Sequence, residues 1–316
     1  KNDAPGLPAV DIDGEPRLVN TTVDIGADEM PSPTHTHPAD TDTDRTLYLF
    51  TSLGNCYQLG VDTLPESNKP TQRGSLLTGV ILGIEANETP AQMLCHTPEE
   101  LKAGPDLLFV TSGGMLKRTS AAEYDVRRQK VAAVNLRPGD RLLTVLPVNP
   151  ALDLLLISRK GLSIRIHTDS LPVMGRATSG VKGMSLEPGD EVIFAAQSAP
   201  DGQILMMTER GFGKRVLFMD FEPQARAGKG VKAFYFNRSN GAAIAGALLL
   251  DDPGQNVLVL QKKSPPTVLP AGQVSPQGKQ DKGVPCVMAL LDDVVTGVLP
   301  LAPAANEPTD DAEETR

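Results

Sequence analysis

Lysine and arginine recur in this 316-residue chain at two places that themselves repeat. One is a hairpin-like junction between two apolar stretches: Lys117-Arg118, Arg159-Lys160 with Arg165, Arg210 with Lys214-Arg215, and Lys262-Lys263. The other is a glycine-containing loop further along: Arg73, Arg127-Arg128 with Lys130, Arg176 with Lys182, Arg226 with Lys229 and Lys232, and Lys279 with Lys282. Cations at regular intervals can neutralise successive phosphates of a nucleic-acid backbone. The glycines beside them, such as Gly175, Gly180, Gly183, Gly228 and Gly230, let main-chain N–H groups approach phosphate oxygens. Taken singly, each cation is an ordinary solvated hairpin end, a position that also discourages edge-to-edge aggregation. The recurrence of the set carries the phosphate-binding reading. Its members are Arg73, Lys117, Arg118, Arg127, Arg128, Arg159, Lys160, Arg165, Arg176, Lys182, Arg210, Lys214, Arg215, Arg226, Lys229 and Lys232.

No other chemistry assembles. His35-Thr36-His37 is half a metal site without Cys or carboxylate partners, Cys95-His96 has no third member, and His167 closes a strand. There is no G-x-S-x-G and no P-loop. Asp251-Asp252 and Asp292-Asp293 read as solvated turn residues. The expectation is a chain with no catalytic residue, no metal and no cofactor. A propeller-type platform for protein partners, without nucleic-acid binding, is the alternative function.

The elements that must position the cations repeat with them. Five apolar strands read Leu47-Tyr48-Leu49-Phe50, Leu107-Leu108-Phe109-Val110, Leu154-Leu155-Leu156-Ile157, Ile204-Leu205-Met206-Met207 and Val257-Leu258-Val259-Leu260. Each leads into a turn ending at Gly54, Gly114, Gly161, Gly211 or Ser264, positions 60, 47, 50 and 53 residues apart. A period near fifty with several short strands per unit is the mark of a propeller-like array. In the third unit Leu162-Ser163-Ile164-Arg165-Ile166 alternates strictly, Val181-Lys182-Gly183-Met184 begins a third strand and Glu191-Val192-Ile193-Phe194-Ala195 makes a fourth. Leu-x-Pro-Gly-Asp recurs at Leu136–Asp140 and Leu186–Asp190, which supports descent from one repeat. The fifth unit is eroded: Ser264-Pro265-Pro266 replaces the glycine turn and Pro270 interrupts the second strand. Helix is expected to be scarce.

Net charge is −9, but it is unevenly placed. Residues 1–44 carry ten acids against two bases, and residues 306–316 five against one, which leaves 45–305 with 27 bases against 24 acids. Within 104–240 the balance is 19 against 13. A mildly basic body between two acidic ends is compatible with a polyanionic partner. The division expected is an acidic N-terminal segment over 1–44 (linker or degenerate first blade), a DNA-binding body over 45–305 and a disordered acidic tail over 306–316. Within the first, Arg17-Leu18-Val19-Asn20 and Thr22-Val23-Asp24-Ile25 alternate as short strands and 31–44 reads as linker. Three distant cysteines, Cys56, Cys95 and Cys286, read as reduced core residues, no apolar run is long enough to cross a bilayer, and the start at Lys1 reads as a piece of a longer polypeptide. The expected location is cytoplasmic.

At these repeats the chain resembles the C-terminal domain found in the A subunits of bacterial type IIA DNA topoisomerases, gyrase and topoisomerase IV. The residues that carry the resemblance are Thr111–Thr119, Gly211–Arg215, Arg176–Gly183 and Arg226–Lys232, in the same order and spacing over roughly 45–302. The resemblance implies an all-β fold, a β-pinwheel of five to six four-stranded blades whose basic rim binds and bends duplex DNA. It further implies that the catalytic tyrosine and the ATPase site lie elsewhere in a larger enzyme. The partners are then duplex DNA, the remaining A-subunit domains and the ATPase B subunit, with no membrane involved. Tyr48, Tyr57, Tyr124 and Tyr235 are then structural. One departure stands out: gyrase has a seven-residue box, Gln-Arg-Arg-Gly-Gly-Lys-Gly, in its first blade. Here the nearest strings are Thr71–Ser75 and, in a late unit, Gln224–Gly230, which matches five of the seven positions. That pattern resembles topoisomerase IV more than gyrase.

Overall fold

The computed structural model describes residues 45–64, 76–290 and 292–301, together with the backbone of Arg17–Val19 and Thr22–Asp24. Arg73, the linker over 31–44, His35-Thr36-His37 and the tail over 306–316 lie outside the described residues. Strands β1 (Arg17–Val19) and β2 (Thr22–Asp24) form a two-stranded sheet of their own. The first repeat follows with β3 (Thr46–Thr51), β4 (Asn55–Gly60) and β5 (Pro90–His96). The second has β6 (Leu107–Thr111), β7 (Met115–Thr119), β8 (Lys130–Ala132) and β9 (Leu142–Pro147). The third has β10 (Asp153–Ser158), β11 (Leu162–His167), β12 (Val181–Lys182) and β13 (Val192–Ser198). The fourth has β14 (Gln203–Thr208), β15 (Phe212–Leu217), β16 (Val231–Lys232) and β17 (Ile244–Leu250). The fifth has β18 (Asn256–Gln261), β19 (Thr267–Pro270), β20 (Val284–Pro285) and β21 (Val295–Pro300). The α-helices described are the short α1 (Leu77–Val80) and α2 (Pro98–Ala103).

The sheets do not coincide with the repeats. Their strand orders are β5-β3-β4-β8, β9-β6-β7-β12, β13-β10-β11-β16, β17-β14-β15-β20 and β21-β18-β19. Each short strand crosses into the blade of the preceding repeat, so Val181–Lys182 pairs with Met115 and Leu116 and not with its own hairpin. The four-stranded blade is therefore built from two consecutive units. Blade 5, with no described unit after it, has three strands.

The turn glycines explain how a two-residue strand is held. Gly114 has φ 77°, in the left-handed region that glycine alone enters freely. Its carbonyl accepts from Gly183 N (2.8 Å) and Met184 N (3.1 Å), and a Cβ there would meet Met184 O at 2.8 Å. Gly54, Gly161 and Gly211 receive the following unit through the same carbonyl, from Ala133, Ala233 and Cys286 N–H groups. The recurring aspartates clamp these turns. Asp140 accepts from Thr111 Oγ1 and Gly113 N, both at 2.7 Å, and Asp190 accepts from Lys160 N at 3.0 Å. Asp293 does the same for the fifth turn, from Ser264 N (3.0 Å) and Oγ (2.6 Å), and it is buried, contrary to the solvated reading of Asp292-Asp293.

Inner strands β5, β9, β13, β17 and β21 pack one on the next, and the hydrophobic core is divided into layers between blades. Phe50, Phe109 and Tyr124 meet between blades 1 and 2, with ring centroids 5.3 to 5.6 Å apart. Leu154, Ile164 and Leu108 fill the next layer, Ile204, Phe218 and Leu155 the third, and Met207, Val257 and Val274 the last. The outer face of blade 1 is covered by its own segment, with Ile81 packed on Leu47, Leu49 and Tyr57. Tyr48, Tyr57 and Tyr124 are interior as expected; Tyr235 is a correction, since 54% of it is exposed on the loop after β16, where the adjacent Phe234 takes the buried place. Cys56 is buried, and Cys95 and Cys286 are half-buried.

Candidate nucleic-acid interface

The cations picked out by recurrence separate into two classes. In the hairpin class the lysines on the second strand turn inward, whereas Lys160, Arg210, Lys262 and Lys263 at the turns are exposed. Lys117 and Lys214 occupy equivalent places on β7 and β15 and are 1% and 0% exposed. Lys214 Nζ donates to three carbonyls of the next unit, Gly278 O (2.9 Å), Lys279 O (2.7 Å) and Asp281 O (2.9 Å), and sits 4.6 Å from the centroid of Phe234. Lys117 Nζ donates to Ala133 O (2.5 Å) and to Arg176 O, beneath the ring of Phe109. Burial pushes Lys214 down to about 7 and Lys117 down to about 8. These two lysines fasten blades together and present no charge to the rim.

The next residue on each hairpin has a related task. Arg215 is 9% exposed and donates to Val274 O (2.7 Å) and Gln203 Oε1 (2.9 Å). Arg165 is held by Asp153 at 2.7 Å and reaches Phe221 O of the following unit at 3.1 Å, and Arg118 pairs with Asp106 at 2.7 Å. In the first unit Gln58 takes this role, donating to Tyr124 O at 2.8 Å. Arg159 pairs with Glu191 (2.7 Å), and Lys160, though exposed, donates to Pro188 O (2.9 Å).

The loop class faces solvent. Arg127, Arg128, Lys182, Arg226, Lys229 and Lys232 are exposed, as is Arg210 on its turn. None of their side chains has an ion-pair or hydrogen-bond partner among the described residues. Lys182 and Lys232 lie on β12 and β16, the outermost strands of blades 2 and 3, and the others of this loop class lie on the segments leading into outermost strands. Topology therefore puts these cations on the outer edge of the blades. Arg176 is half-buried, with Nη1 donating to Glu123 O at 3.0 Å. Lys130, on β8, stands with this class, donating to Gly83 O and lying over the ring of Tyr57. Arg137 and Arg238 are also exposed, in the equivalent loops before β9 and β17, and fall outside the two recurring places read from the sequence.

A signal for the inward lysines does exist in the sequence. The place of Lys117 and Lys214 is filled by Tyr57 and Ile164 in the other receiving units, which marks an interior slot. Among the described residues no group of three or more His, Cys, Asp or Glu could hold a metal ion, and no helix is long and apolar enough to cross a membrane.

Comparison with known proteins agrees with this architecture. The family model described as the DNA gyrase C-terminal domain, beta-propeller, matches residues 45–72, 105–149, 152–198, 202–250 and 268–302. The DNA gyrase A protein of Streptomyces coelicolor is 38% identical over 147 residues, covering 44% of this chain and 17% of the relative. That of a Nocardioides species is 36% identical over 142 residues, covering 44% and 15%. The matched stretch is thus a small part of those relatives' length. Among solved structures, the C-terminal domain of DNA topoisomerase IV superposes with a TM-score of 0.75 at 24% identity, covering 81% of this chain and 79% of that one. The DNA gyrase A C-terminal domain gives 0.66 at 20% identity, covering 83% and 84%.

Proposed function

Because the chain belongs to the DNA gyrase C-terminal β-propeller family, we propose that it binds duplex DNA without sequence preference along the outer edges of its blades, and bends it there. The observation that supports this is the set of exposed cations whose side chains have no partner among the described residues: Arg127, Arg128, Lys182, Arg226, Lys229 and Lys232 on or before outermost strands, and Arg210 on a hairpin turn. Their charge is already solvated and uncommitted, so a phosphate displaces only water and counterions. Bending follows from the curvature of the edge: a straight duplex touches one blade, a bent one several, and the added contacts offset the deformation cost.

In this reading the chain is the accessory DNA-guiding part of the A component of a cytoplasmic type IIA topoisomerase. Strand cleavage belongs to the rest of that polypeptide, and ATP hydrolysis to its B component. Changing Lys182, Arg226, Lys229 and Lys232 together to Glu should abolish binding of a duplex at moderate salt, measured by fluorescence anisotropy. Wild-type affinity in that variant would refute the reading. Ligation of nicked plasmid in the presence of the chain separates bending from wrapping: a shift in linking number indicates a wrapped path of one hand, and binding without a shift a planar bend.

A further inference from the structure

Strand exchange brings two distant stretches of chain to one hollow at the junction of blades 1 and 2. Its floor is Val131 and Ala132, and its edge carries Arg127, Arg128, Lys130 and Arg176. The hollow has a volume of about 440 Å³, and no acidic side chain lines it. The carboxylate of Glu123 accepts from the Arg176 main-chain N–H at 2.7 Å. Arg127 and Arg128 have no partner among the described residues, and Lys130 leans on Tyr57 with Nζ 5.1 Å from the ring centroid.

Unlike the loop of Arg226, Lys229 and Lys232, this place is supported from within by a buried lysine. The buried Lys117 ties the two stretches together, donating to Ala133 O just past the end of β8 and to Arg176 O across the junction. The main-chain segments that carry the four cations are thereby held together before any ligand arrives, which lowers the ordering cost of binding. Arg226, Lys229 and Lys232 carry a similar charge, but they do not line this hollow and Ile164 stands where a lysine would tie their loop.

We propose that this hollow is the fixed point of the DNA path, seating a backbone phosphate of the duplex, with Lys117 as its positioning residue. The proposal rests on the DNA-binding reading above and adds to it a place where the duplex is held and not merely attracted.

The test compares two double variants that remove the same charge from exposed residues: Arg127→Gln with Arg128→Gln, and Lys182→Gln with Lys232→Gln. Affinity for a short duplex is measured over a range of salt. Both should reduce the salt slope by about two. At fixed salt the hollow variant should lose roughly tenfold or more and the strand variant about threefold, because bonds from preset charged donors outweigh diffuse attraction. Equal losses would overturn the fixed point while leaving DNA binding intact. No loss in either would remove the DNA-binding reading and this proposal with it. Lys117→Met should weaken binding with an unchanged salt slope, since no cation that touches DNA is lost; a folded Lys117→Met that binds like wild type would overturn the positioning role. Pyrophosphate is the probe for the other source of the same chemistry. Its binding, lost in the hollow variant while duplex affinity stays unchanged, would assign the hollow to a free phosphate compound and reject the proposal.

Discussion

The outer edges of blades 4 and 5 begin as hairpins in the same register, Gln203 opposite Leu217 and Asn256 opposite Pro270, and then diverge at every position that matters for receiving a strand. In blade 4 the turn ends in Gly211, whose carbonyl takes Cys286 N (2.9 Å) and Val287 N (3.1 Å). Blade 5 has Ser264 there, and its N–H and hydroxyl are spent on Asp293. Phe212-Gly213 pair with β20, whereas the same places in blade 5 are Pro265-Pro266, which have no N–H to offer. Lys214 and Arg215, which reach across to the next unit, are matched by Thr267 and by Val268, 46% exposed. Together these differences teach that receiving a neighbour is a property written into one hairpin, and that the last hairpin has lost it at five consecutive positions.

The contrast can be tested by breaking the receiving edge. Gly114→Ala forces a side chain into the left-handed region against Met184 O. It should cost about 2–4 kcal/mol in urea unfolding, whereas Ser264→Ala in the fifth turn should cost about 1 kcal/mol. Equal losses would mean that the turn carbonyl is not what holds the next unit. Lys214→Met strands three carbonyls and should lower stability by about 2 kcal/mol, against little change for Thr267→Val.

Lys214 also sharpens the comparison through pH. Its ammonium is pushed from 10.5 down to about 7, so between those values the unfolded chain binds the extra proton. Its contribution to stability therefore rises as pH increases through that window, and Lys214→Met should remove the slope. Asp293 at the terminal turn acts in the acid range. The Ser264 hydroxyl and nearby main-chain N–H groups hold its carboxyl at about 2, below the usual 3.8. Its stabilising effect is present above 3.8 and is lost as pH falls through about 2, so Asp293→Asn should flatten the acid limb of the unfolding curve. The smallest effect is kinetic: amides of β19 should exchange with deuterium faster than those of β15, and equal protection would show that the terminal edge is covered.

The hairpins, their turns and the fifty-residue period were readable because each first strand is a continuous apolar run closed by a turn residue. Leu-x-Pro-Gly-Asp was readable as a repeat, but its role as a turn clamp was not, since Thr111 lies 29 residues from Asp140. The destination of Val181–Lys182 was hidden for a different reason: two residues carry no periodicity, and which sheet they join depends on a carbonyl in the preceding unit. The candidate interface was half readable. The loop cations appeared as a set and lie at the surface, but Lys117-Arg118 and Lys214-Arg215 look equally basic and point inward. The lysines' partners across the junction are carbonyls 59 to 67 residues away, and a main-chain acceptor leaves no trace in side-chain identity.

Strand exchange also gives the array a growing end. A unit inserted between two others must both donate a short strand backward and accept one from ahead, whereas a unit added after the fifth needs only an acceptor. Pro265-Pro266 withholds that acceptor. The two prolines thus mark the fifth hairpin as one that cannot take in a strand by the pattern the other four use.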